Sequence, residues 1–101
     1  MIDFLNDLGI NNTTIMSIEE KYNEYILYNL SLNKFEIEKI IRYFKEIGIN
    51  NIDDILISNI ELFFKTYREI KRTFISLKNI NELVEKINED AENIYLLFEN
   101  D

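Results

Sequence analysis

Two glycines, 39 residues apart, close the same short phrase. Phe4-Leu5-Asn6-Asp7-Leu8-Gly9-Ile10-Asn11-Asn12 is answered by Tyr43-Phe44-Lys45-Glu46-Ile47-Gly48-Ile49-Asn50-Asn51. Each is an amphipathic stretch that stops at Gly and resumes as Ile-Asn-Asn. A fixed period of this size marks stacked helical units. The chain has no Pro, and these are its only two Gly, so little else breaks a helix by backbone chemistry. The expected fold is all-α: a compact array of about six helices with an internal repeat of about 39 residues, in a single domain over residues 1–101. A chain this long can bury roughly two-thirds of its unfolded surface, enough for its own core.

Start signals divide the chain into those helices. Ile2–Leu8 is short, with Gly9 as a left-handed stop. Ser17-x-x-Glu20 reads as a capping box, followed by a helix with Ile18, Tyr22, Tyr25, Ile26 and Leu30 on its inner face. Asn33-x-x-Glu36 opens the next, with Ile37, Ile40, Ile41, Phe44 and Ile47 inward. Asn51-x-x-Asp54 opens a short helix through Ile57. Ser58-x-x-Glu61 opens a long one, carrying Phe63, Tyr67, Ile70, Phe74 and Leu77. Asn79-x-x-Glu82 opens the last, with Ile80, Leu83, Val84, Ile87, Ala91, Ile94 and Phe98 inward. No stretch keeps a period of two long enough to demand a strand.

Composition narrows the chemistry. With no Cys there is no disulfide, thiolate metal site or thiol nucleophile. With no His, the commonest general base and transition-metal ligand is missing. Thr14, Ser17, Ser31 and Ser58 read as caps or turn residues, with no base to activate them. Asp53-Asp54 suits a helix start and lacks the spacing of a calcium loop. No catalytic residue, cofactor or metal is therefore expected. No run approaches the ~20 apolar residues of a membrane span, and the opening Met1-Ile2-Asp3 is not a basic leader. A cytoplasmic protein is expected. The 33 Asn and Ile residues have AT-rich codons, which suggests a low-GC bacterium or its phage.

The pattern of Phe44, Ile47, Gly48, Ile49, Ile52, Ile55, Leu56, Ile60, Leu62 and Phe63 resembles a mitochondrial transcription termination factor repeat. A looser copy runs through Leu5, Leu8, Gly9, Ile10 and Ile15, and together they cover about half the chain. The resemblance implies a curved stack of helical units that binds nucleic acid. The family usually has Pro where this chain has Ile60, and its nucleic-acid surface is basic. Only the stacked geometry carries over, and no functional residue does.

Charge is unevenly placed within a net −8. Residues 1–33 hold one Lys against five acids; residues 34–78 hold nine basic groups against seven acids; residues 79–101 hold one Lys against seven acids. Glu82, Glu85, Glu89 and Glu92, with Asp90 beside them, are spaced as one helical face about 15 Å long. Such a row can imitate a phosphate backbone and enter a basic channel; it can equally be a solvated outer face. Lys65, Arg68, Lys71, Arg72 and Lys78 form a basic face that could touch phosphates or pair with the acidic last helix. Phe63 and Phe64 cannot both face one core, nor can Tyr22 and Tyr28, so Phe64 and Tyr28 are candidate anchors for a partner.

These features point to a non-enzymatic, acidic binding module that covers a basic protein surface, in the manner of an anti-CRISPR inhibitor from a phage or mobile element. Net negative charge opposes nucleic acid, and no membrane partner is indicated. The alternative is a small nucleic-acid-binding regulator using the Lys65–Lys78 face.

Overall fold

The computed structural model describes residues 1–97. Among them every regular element is helical. The elements are α1 (Phe4–Asp7), α2 (Asn12–Lys21), α3 (Glu24–Leu32), α4 (Lys34–Glu46), α5 (Ile52–Ser58), a first 3-10 helix (Ile60–Phe64), α6 (Tyr67–Ile75), α7 (Ile80–Glu89) and a second 3-10 helix (Ala91–Leu97).

Both glycines stop helices as expected. Gly9 has φ +89° and Gly48 has φ +96°, the left-handed region that a Cβ disfavours. The Ile10 amide donates to the Leu5 carbonyl and the Gly9 amide to Asn6; the Ile49 amide donates to Phe44 and the Gly48 amide to Lys45. Both ends thus share one Schellman pattern. It turns Ile10 and Ile49 into the core, beside Leu5 and Phe44.

Three expected helices are each divided, for a local reason. Ser17 lies inside α2, where its hydroxyl donates to the Thr13 carbonyl at 2.9 Å. The break falls instead at Tyr22, and Asn23 caps α3 by accepting from the Ile26 amide. Ser58 likewise ends α5, with its hydroxyl on the Asp54 carbonyl. The expected Ser58 helix becomes a 3-10 turn followed by α6, which Thr66 and Glu69 open with a reciprocal capping box. Asn79 caps α7 as expected, accepting from the Glu82 amide. That helix ends at Glu89, however, and Asp90 is extended. Phe98 lies outside the described residues.

The core is centred where α4 and α6 pack. Phe44 meets Phe63 and Phe74 edge to face, with ring centroids 6.1 and 5.8 Å apart, and all three are fully buried. Tyr43 meets Tyr67 and Phe74 in the same way. Of the residues expected inward, Ile37, Ile40, Ile41, Ile70, Leu83, Val84, Ile87 and Ile94 are buried. Tyr25 is not: the break at Tyr22 rotates α3 so that Leu27 and Leu30 face inward and Tyr25 faces solvent.

Polar side chains tie successive parts together. Asp53 accepts from the Asn11 amide at 3.0 Å and from the Thr14 hydroxyl at 2.8 Å. Lys45 donates to the Leu8 carbonyl. One repeat length later, Asn88 accepts from the Asn50 amide and donates to the Gly48 carbonyl, both at 2.9 Å. In both cases the amide two residues past the glycine is held by a side chain of a later helix.

Candidate functional site: an acidic cleft and a basic helix

The acidic residues do not form one helical row. Glu82, Glu85 and Glu89 lie on α7, Asp90 sits at the break, and Glu92 lies on the second 3-10 helix. The break replaces the expected 15 Å line with a curved arrangement. Asp90 accepts from the Glu92 amide at 3.0 Å, which fixes the bend. Glu82 is engaged locally: Lys86 lies 3.5 Å from it, and the Asn79 amide group donates to it. An exposed pair of this kind contributes little, but it lowers the free charge at that end.

The bend creates a concave surface. Glu89, Asp90 and Glu92 on one side face Asp54 on the other, across an open cleft of about 590 Å³ also lined by Asn51 and Ser58. All four carboxylates are exposed. None forms an ion pair within 4 Å among the described residues, and no Lys or Arg is among the described residues lining the cleft. The sequence places Asp54 at a helix start without relating it to α7. Only the packing of α5 against the second 3-10 helix brings it there. Its neighbour Asp53 points to the other side, into the Asn11 turn. Among the described residues no group of three or more acids is placed to hold a metal ion.

The basic residues are divided by function. Lys71 is half-buried over the rings of Tyr67 and Tyr43, 5.6 and 5.9 Å from their centroids. The neighbouring Tyr67 side chain raises its pKa. Burial raises the Tyr43 pKa in turn. Lys71 therefore serves the aromatic edge of the core. Arg68 and Arg72 are exposed on α6, with the exposed Ile75 beside them. Lys65 and Lys78 flank the helix and are exposed. Among the described residues, Arg68, Arg72 and Lys78 form no ion pair within 4 Å, so of the two alternatives for this face, pairing with α7 is not seen there.

Of the candidate anchors, Phe64 is at the edge of exposure and Tyr28 is well exposed, while Phe63 is fully buried and Tyr22 partly so. Six larger exposures, at Met1, Met16, Tyr25, Leu32, Phe35 and Ile75, are not among those anchors. No helix among the described residues is long and apolar enough to cross a membrane. No family model, curated protein or solved structure matches this chain.

Proposed function

We propose that the protein is a non-enzymatic binding module whose acidic cleft covers a basic surface of a larger protein. The observation that carries this reading is the convergence of Asp54, Glu89, Asp90 and Glu92 on one concave surface that no Lys or Arg among the described residues lines; the nearby Lys21 ammonium is bonded to the Ile57 carbonyl. Carboxylates held near one another repel, and a partner that brings Lys or Arg relieves that cost. Glu82 and Glu85 extend the negative field along α7 and would guide approach. The partner fitted best is a nucleic-acid-binding machine whose basic channel normally holds phosphates. In that setting the module acts as an inhibitor, comparable in principle to anti-CRISPR proteins of phages and mobile elements. Absence of His and Cys supports a role without catalysis, cofactor or metal.

The same reading includes two stacked units of about 39 residues, similar in geometry to mitochondrial transcription termination factor repeats. Support comes from the matched Schellman stops and from the matched Asp53 and Asn88 ties. A second reading, a nucleic-acid-binding regulator, draws on Arg68, Arg72 and Lys78 at α6. Lys71 is committed to Tyr67 and Tyr43, which leaves this face few phosphate contacts.

Affinity capture from the source cell, with and without nuclease, separates the two. Recovery of a basic protein after nuclease treatment supports the inhibitor reading. Recovery of nucleic acid alone, lost on nuclease treatment, supports the second.

A further inference from the structure

A run of exposed apolar side chains lies outside the lining of the acidic cleft. Tyr25, Tyr28 and Leu32 on α3 and Phe35 in the first turn of α4 are 74, 54, 64 and 73% exposed. Along α3 the spacing of Tyr25, Tyr28 and Leu32 is three and four, that of the seam along which two helices interdigitate; Phe35 extends the apolar surface beyond the turn at Asn33. At 100° per residue, the three α3 positions fall within about 60° of one another. Leu27 and Leu30, on the other side of the helix, are buried. α3 is therefore apolar on two faces, and only the inner face is covered by the described residues. Asn33 bends the path between α3 and α4. Its side chain donates to the Phe63 and Lys65 carbonyls and fixes the angle. The stripe is thus held in place by the core and not by its own contacts.

An aromatic side chain presents about 150–250 Å², so these four expose roughly 500 Å². A surface of that size on a monomer is commonly functional. Two copies placed face to face would bury at most about 1,000 Å² from these residues, the level at which a specific interface becomes sustainable. Glu24 stands at the Tyr25 end, and Lys34 stands beside Phe35 with its ammonium 5.9 Å from the Phe4 ring at the rim.

We infer that this face joins two copies of the chain across a two-fold axis, with the α3 helices antiparallel. In that arrangement Tyr25 of one copy packs near Phe35 of the other, and Tyr28 near Leu32. Glu24 of each copy meets Lys34 of the other, so the charge pair is made twice. A two-fold interface has to be self-complementary in this way. A parallel arrangement would set Glu24 against Glu24. The inference is independent of the partner proposed for the acidic cleft. α3 packs on the first 3-10 helix, whereas α7 packs on the second, and none of the four stripe residues lines the acidic cleft.

Sedimentation equilibrium of the full chain tests the inference. A monomer–dimer equilibrium is expected well below 1 mM, where association is worth only about 4 kcal/mol. Leu32→Glu should weaken it at least about 100-fold, because a carboxylate would be buried at the seam. Glu24→Lys and Lys34→Glu should each weaken it several-fold, and the double variant should restore it, since each new Lys then meets a new Glu on the other copy. Circular dichroism should show unchanged helicity in all of them, as these side chains are exposed. A monomer at every concentration up to about 1 mM would overturn the inference. So would a dimer indifferent to Leu32→Glu, and so would a double variant no better than either single one.

Discussion

Truncating Phe44 to Ala should come close to unfolding the protein. Phe44 is fully buried and contacts two other fully buried aromatic rings, Phe63 and Phe74. Removing a buried Phe side chain costs about 3–5 kcal/mol through lost transfer energy and the cavity left behind. The two edge-to-face contacts, each worth about 0.5–1.5 kcal/mol, place Phe44 toward the upper end of that range. A domain of this size is stable by only about 5–15 kcal/mol. With a urea dependence of about 1.5 kcal/mol per molar, a 4–5 kcal/mol loss lowers the midpoint by about 3 M. Phe44→Leu retains most of the volume and should cost under about 1.5 kcal/mol, a shift of about 1 M or less. Glu85→Ala, on the exposed face of α7, should stay within about 0.5 kcal/mol of wild type. Urea denaturation followed by far-ultraviolet circular dichroism gives all three values. A Phe44→Ala midpoint within about 0.5 M of wild type would refute the placement of the core at the α4–α6 crossing.

Gly48→Ala should cost about 1–2 kcal/mol by thermal denaturation, from backbone strain alone; the added Cβ would sit 3.7 Å from Val84, an ordinary contact. Gly9→Ala should cost at least as much, since its Cβ would meet the Lys45 ammonium at 3.1 Å and disturb the bond to Leu8. The Tyr67 amide and then Lys39 hold the Glu36 pKa below its ordinary 4.5. Its contribution to stability is therefore complete above about pH 4.5 and is lost as pH falls through the lowered value. The stability difference between wild type and Glu36→Gln should shrink over that acid range, and a constant difference would contradict the assignment. The protein should show no measurable affinity for single-stranded or duplex nucleic acid at ~0.15 M salt. Sub-micromolar binding abolished by Arg68→Glu would transfer the function to α6.

The glycine stops were legible because positive φ is a backbone demand that few residues but Gly meet cheaply. The Asn79 cap and most of the inner stripes were legible for similarly local reasons. Serine was the misleading signal. Ser17, Ser58 and Thr66 each precede a Glu by three residues, yet only Thr66 forms the box. A serine inside a helix bonds back to the carbonyl four residues earlier, as Ser17 and Ser58 do. Continuous stripes also hid the breaks at Tyr22, Lys65 and Asp90, because inward residues on both sides of a break keep a nearly helical spacing. Tyr25 was misplaced for that reason, and the exposed seam on α3 went unseen with it. The acidic cleft was half legible. Its α7 carboxylates stand out in the sequence, but Asp54 joins them only through packing between elements more than thirty residues apart.

If the acidic cleft and the α7 carboxylates beside it meet a basic protein partner, the rate of association depends on them. The most direct measurement is the association rate of the captured partner with wild type and with the Glu85→Lys, Glu89→Lys double variant, at low and at physiological salt. Both side chains are exposed and outside the core, so helicity should be unchanged. The wild-type rate should fall steeply with salt, and the variant should associate markedly more slowly with little salt dependence. An unchanged rate in a correctly folded variant would contradict this reading and reduce these carboxylates to solvated surface.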